Sequence, residues 1–188
     1  RDRHYNFTTH EGFNAGIWKN DNATDNQAAT DYDKKWIPGQ WKVPEAYDNP
    51  ASNDPWYFSA IREANYFLET VVPRFEKGEI EGSETNIKHY IGEMYFLRAK
   101  NYLSKLETFG DFPIIKNTLP DESASLIQAS KREPRHKVAR FILEDLDLAI
   151  GLLTNTISGG KNRITQNAAL LLKSRAALYE ASWLTYHR

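Results

Sequence analysis

GEMYFLRAKNYLSKLETFGDFP, residues Gly92 to Pro113, is the stretch whose reading decides the fold. Counting from just upstream, apolar residues fall at Ile87, Ile91, Met94, Leu97, Tyr102, Leu106 and Phe109, with Arg98 filling the gap. Steps of mostly three and four put one broad stripe on a helix, predicted over 84–109. Gly110 can take the left-handed conformation that stops a helix, and Pro113 blocks its continuation. The helix therefore ends in a fixed corner, and Phe112, Ile114 and Ile115 leave it as an extended segment. Arg98 sits inside the stripe, so it is expected to be buried at least in part and to need a carboxylate. Glu63 and Asp145 are the candidates.

Working outward, Asp54 is a good N-cap with Pro55 at the first helical position, and a helix is expected over 54–72, ending before Pro73. Trp56, Ile61, Ala64, Phe67 or Leu68 and Val71 form its inner stripe. Asn65 lies beside it, where its amide can bridge to a neighbouring loop. Gly78 to Gly82 should be an exposed turn, with Ser83 or Thr85 capping the long helix. Thr118 to Ser130 reads as irregular. Glu133-Pro134 opens a third helix over 134–153, lined by Val138, Phe141 or Ile142, Leu146, Ala149 and Leu152 or Leu153. The acidic group Glu144, Asp145 and Asp147 is read as pointing mostly outward, with pairing to a buried Arg of an adjacent helix as the better use for Asp145. Thr165 caps a fourth helix over 165–185, whose stripe is read as Ala168, Leu171 or Leu172, Arg175, Ala176, Tyr179 and Trp183.

Arg98-Ala99-x-x-Tyr102 recurs as Arg175-Ala176-x-x-Tyr179. In each, a small Ala permits close helix approach and the Tyr covers the contact. The fold predicted is all-α: two hairpins, 54–109 and 134–185, as a tetratricopeptide-like pair without the full 34-residue consensus. No sheet of more than two short strands is expected. Arg98 and Arg175 are read as structural ion-pair residues, and Asp111 as a corner residue that accepts backbone amides.

Composition narrows the function. The chain has 188 residues, with 24 basic and 25 acidic residues leaving a formal charge of -1. No polybasic run is present, which argues against nucleic acid or anionic lipid as partner. No apolar run approaches the length of a membrane-spanning helix. Cysteine is absent, which removes disulfides and thiol catalysis. There is no phosphate loop, no His-Glu-x-x-His and no nucleophile elbow. His4, His10, His89, His136 and His187 share no metal-ligand spacing, so surface or loop positions are expected and no metal or cofactor. The cluster Glu144, Asp145 and Asp147 reads as the solvated side of a helix.

Residues 1–53 are poor in aliphatics, read as loop, and are punctuated by Trp18, Tyr32, Trp36, Trp41 and Tyr47. A sugar ring presents a face of C–H bonds that packs on an indole, while its hydroxyls need polar partners. Trp18, Trp36 and Trp41 lie beside Asn20, Asn22, Asn26, Gln40 and Lys42, an apolar platform with a polar rim. The plainer role for these Trp residues is to anchor a long loop. Trp41, Trp36, Trp18, Lys42 and Gln40 are the candidate ligand-binding residues.

Phe96-Leu97-Arg98-Ala99 with Tyr102, followed by Phe109-Gly110-Asp111-Phe112-Pro113-Ile114, resembles the SusD/RagB family of outer-membrane nutrient-binding lipoproteins. Three further stretches agree in order: Asp54 to Glu69, Ile142 to Leu153, and Arg163 to Ser182. The resemblance implies a non-enzymatic protein that captures an oligosaccharide or other nutrient and passes it to a TonB-dependent transporter. It implies a lipid anchor that this stretch does not contain, and hence a fragment, residues 1–188 forming one N-terminal helical domain. Two other readings stand beside it. One is a helical-repeat scaffold for a protein partner, with no sugar binding. The other is a glycoside hydrolase, for which no clear pair of opposed carboxylates is offered.

Overall fold

The aromatic residues at the Gly110 corner set where the helices meet. Trp56 lies on Phe109 with ring centroids 4.0 Å apart, and Phe112 stacks on Phe58 at 5.1 Å and on Phe109 at 5.3 Å. In this computed structural model, residues 37–40, 42, 55–156 and 162–187 are described. The chain divides into two units, Arg1–Pro44 and Glu45–Arg188. Among the described residues the second unit carries five helices: α1 (Ser59–Glu76), α2 (Glu84–Phe109), α3 (Ser123–Ala129), α4 (Arg135–Leu152) and α5 (Gln166–Tyr186). The only β pairing among them is an isolated antiparallel bridge between Phe112 and Glu133. The all-α expectation holds.

α2 is the central element, packed between α1 and α4, and α4 packs in turn on α5. It is buried more widely than one stripe. His89, Gly92, Glu93, Phe96, Ala99 and Leu103 are buried as well as Ile91, Leu97, Arg98, Tyr102, Leu106 and Phe109. A helix covered on two sides has two inner faces, and only the more apolar one shows as a stripe. Gly92 marks the tightest approach. A Cβ there would come within 3.0 Å of Leu152 Cβ and Leu153 Cγ. Gly110 has φ +74 and ends α2 as expected.

α1 differs from the sequence reading at both ends. Pro55 and Trp56 form a turn and the helix begins at Ser59, because Trp56 and Phe58 are drawn onto the corner aromatics. Pro73 does not stop it. Proline removes one hydrogen bond, but α1 continues to Glu76 and ends on Gly78, whose φ is +71. Gly78 N–H donates to Phe75 O and Glu79 N–H to Arg74 O, each at 2.9 Å, which closes the chain in a Schellman turn. The stretch read as irregular contains α3, a seven-residue helix with no buried residue. Such a helix carries no periodic signal.

α4 matches its expected lining, with Val138, Phe141, Ile142, Leu146, Ala149 and Leu153 buried. Thr165 caps α5, its hydroxyl oxygen accepting from Ala168 N–H at 3.2 Å. The inner face of α5 is a correction. Ala169, Ala176 and Glu180 are buried, whereas Leu171 and Leu178 are exposed and the Arg175 side chain is 70% exposed. Arg175 only reaches Glu107, at 3.6 Å. α5 is apolar around most of its circumference, so spacing does not fix which side faces α4.

Candidate functional site

After the Gly110 corner the chain runs as a strap without helix, Phe112 to Leu119, bending at Asn117, and among the described residues no strand lies beside it beyond the Phe112–Glu133 bridge. Its backbone groups are met by side chains instead, as backbone withdrawn from water requires. Ile115 N–H donates to the Tyr102 hydroxyl at 2.8 Å, and that hydroxyl donates to Ile115 O at 3.2 Å. Asn65 Nδ2 donates to Ile115 O at 2.8 Å and to Asn117 O at 3.3 Å. Glu69 accepts from both the Thr118 N–H and its hydroxyl. Burial pushes the Tyr102 phenol up to about 12, so it keeps the proton it donates.

Arg98 ties this clamp to α4. Its Nε and one Nη donate to the two Asp145 oxygens at 2.7 and 2.8 Å, and the other Nη donates to Asn65 Oδ1 at 2.9 Å and Lys116 O at 3.3 Å. Arg98 is 6% exposed and Asp145 2%. Burial raises the Asp145 carboxyl, and the hydrogen bonds and charge of Arg98 oppose that rise. Of the two carboxylates considered from the sequence, Asp145 is the partner and Glu63 is not. Asn65 has the bridging role read for it. Asp111 accepts from Arg135 N–H at 2.8 Å, so the corner residue of α2 caps the start of α4.

Alternate residues of the strap line different clefts. Pro113, Ile115, Asn117 and Leu119 line a cleft of about 270 Å³ against α1 and α3, where Phe58, Ile61 and Leu126 make it mainly apolar. Ile114 and Lys116 face a second cleft, of about 350 Å³, against α4. Neither cleft was legible from the sequence. Residues 113–119, three apolar residues followed by three polar ones and Leu119, carry no alternation that would have signalled them.

Of the candidate ligand residues, Gln40 and Lys42 are exposed. Gln40 N–H donates to Ile37 O at 3.0 Å in a turn that uses Gly39 at φ +81. Trp18, Trp36 and Trp41 lie outside the described residues. The expectation of surface histidines fails at His89, which is fully buried. Its Nδ1 lies 3.3 Å from the Thr154 backbone nitrogen and 3.2 Å from the Thr154 hydroxyl, and its Nε2 lies 3.5 Å from Glu93 Oε1. Burial lowers the His89 pKa, and Arg163 lowers it further. Glu93 also pairs with Arg163 and accepts from Ile164 N–H, so this cluster fastens the approach to α5 onto α2. Among the described residues no group of three or more His, Cys, Asp or Glu could hold a metal ion.

A family model described as SusD-like, starch-binding and associating with the outer membrane matches residues 5–178. The chain belongs to this SusD-like family. Among solved structures it is similar to a SusD-like protein from Bacteroides fragilis, at 29% identity and TM-score 0.59, covering 71% of this chain and 25% of that one. It is similar in fold to a laminarin-binding SusD-like protein, at 24% identity and TM-score 0.52, over 63% of this chain and 24% of that one. Surface glycan-binding protein A from Bacteroides fluxus aligns with 24% identity and TM-score 0.53, over 70% of this chain and 27% of that one. The chain thus spans about a quarter of the length of these structures. No curated protein matches it.

Proposed function

We propose that this chain is part of a glycan-capture protein at the outer membrane, which binds an oligosaccharide and delivers it to a TonB-dependent transporter without cleaving it. Membership of the SusD-like family over residues 5–178 carries the reading. The similarity to a laminarin-binding protein and to a surface glycan-binding protein supports it. Trp41, Trp36 and Trp18 are the residues proposed to stack on the sugar, and Gln40 and Lys42, both exposed, are proposed to meet its hydroxyls. Attachment to the membrane is through a lipid on the full-length protein. The Arg98 network has a separate task, holding the strap, and does not touch the ligand.

Calorimetric titration of the full-length protein with starch and laminarin oligosaccharides tests this reading. Binding to at least one glycan is expected, and Trp41→Ala should weaken it by about 1–3 kcal/mol, comparable to losing the burial of one large apolar side chain. The melting temperature should stay nearly unchanged. Failure to bind any glycan overturns the reading, and a large stability loss with unchanged affinity makes Trp41 a loop anchor. A second reading, a helical scaffold for a protein partner, has one observation in its favour: Leu170, Leu171, Leu178 and Leu184 are exposed on α5. A protein partner captured with glycan binding absent would favour it.

A further inference from the structure

The second cleft beside the strap is charged where the first is apolar. Ile114, Lys116, His136, Lys137, Arg140 and Glu144 line it, three permanent cations against one carboxylate, with the buried Phe141 beneath. Many of the basic residues nearby are already engaged. Arg132 lies over the Trp56 ring, Arg135 pairs with Glu180 at 2.7 Å, and Lys137 pairs with Glu133 at 2.8 Å. Arg140 makes no side-chain ion pair or hydrogen bond among the described residues, and Glu144, one turn further along α4, does not pair with it. Lys116 lies with its ammonium 5.1 Å over the Phe141 ring and has no carboxylate within ion-pair distance among the described residues.

The helix itself adds to this field. The first turn of α4 holds Arg135, His136 and Lys137 and no acidic residue. Cations there share the positive end of the helix dipole. Asp111 at the cap, Glu180 on Arg135 and Glu133 on Lys137 offset part of that charge, which leaves Arg140 and Lys116 as the cations of the cleft without a carboxylate at ion-pair distance among the described residues. Ile114 offers a small apolar wall, and Glu144 offers an acceptor for hydroxyl groups.

We propose that the cleft between the strap and α4 is a subsite for an acidic sugar residue, with Lys116 and Arg140 holding its carboxylate or sulfate. The apolar wall at Ile114 takes part of the C–H face of the ring, and Glu144 and Lys137 take hydroxyls. This inference rests on the glycan-capture reading and adds a substrate class to it, an oligosaccharide bearing uronate or sulfate groups.

The test uses the full-length protein and four probes: oligogalacturonate, a sulfated dextran oligosaccharide, neutral laminarin oligosaccharide and polyglutamate. At low salt an acidic oligosaccharide should bind more tightly than the neutral one, and the difference should shrink as salt screens the contact. Oligogalacturonate and sulfated dextran separate the two sources of negative charge. Lys116→Ala and Arg140→Ala should each weaken acidic binding by about two- to fivefold, the range of one partly exposed ion pair. Lys116→Glu combined with Arg140→Glu should remove the preference while neutral glycan binding and the circular dichroism spectrum stay the same. No preference for either acidic sugar, with neutral binding intact, overturns this inference alone. Polyglutamate binding as tightly as oligogalacturonate makes the cleft a peptide site and also overturns it. Failure of every glycan to bind overturns the glycan-capture reading and the subsite together.

Discussion

α2 and α5 carry the same five-residue pattern, Arg-Ala-x-x-Tyr, and use it differently. In α2 the pattern lies between α1 and α4, so Arg98 is buried and bonded to three other segments, and Tyr102 clamps the strap. In α5 the Ala is again buried, but Arg175 extends into solvent and Tyr179 is only half-buried. The small residue does the same work in both helices, permitting close approach. The polar residues do not, because their role depends on whether a second element covers that side. A repeated motif therefore reports a packing seam, and its neighbours decide the rest.

The comparison breaks most sharply at the arginines. Arg98→Ala should cost about 3–5 kcal/mol in chemical denaturation, since it leaves Asp145 buried without its partner. Arg175→Ala should stay within about 0.5 kcal/mol, as an exposed substitution does. Equal losses in the two variants would mean that burial does not separate the copies. The tyrosines give a smaller contrast. Tyr102→Phe leaves the Ile115 N–H without its acceptor and should cost about 1–3 kcal/mol, whereas Tyr179→Phe should be close to neutral.

Outside the motif, the buried His89 gives an effect of pH on the α2 seam. Its folded pKa is depressed by burial, so below about 6.5 the unfolded chain takes up the proton first. Its contribution to stability is therefore present above that pH and is lost as the pH falls towards the folded value. His89→Gln lacks this term and should show a shallower loss of stability between about pH 7 and 5 in the same denaturation series. Parallel curves for the two proteins would contradict a neutral, buried His89.

Much of the frame was readable from the sequence because its signals are local. The corner at Gly110, the Thr165 cap, the lining of α4 and the need of Arg98 for a carboxylate all follow from a few adjacent residues. The misreadings have physical reasons. Pro73 is an obvious breaker, but the Gly78 turn is what closes α1. α3 is too short and too exposed to show a period. α5 is apolar on too many sides to be phased. His89 is polar, and its burial depends on Thr154, which comes onto it from beyond the end of α4, beside Glu93 one turn along α2. The clefts were hidden for the same reason: they join α1, α3 and α4 through a strap with no regular partner. For the candidate ligand residues the sequence supplies only residue types and a setting; Gln40 and Lys42 are exposed, and Trp18, Trp36 and Trp41 lie outside the described residues.

The most direct test of this arrangement is native-state hydrogen exchange at the Ile115 amide. In the wild-type protein this amide should exchange slowly, with protection comparable to the core of α2, although no strand lies beside it among the described residues. In Tyr102→Phe it should lose protection by more than the global change in stability accounts for, while amides in the middle of α2 follow that global change. Rapid exchange at Ile115 in the wild type, or protection that Tyr102→Phe leaves intact, would contradict the claim that side chains from α1 and α2 hold the strap between its two clefts.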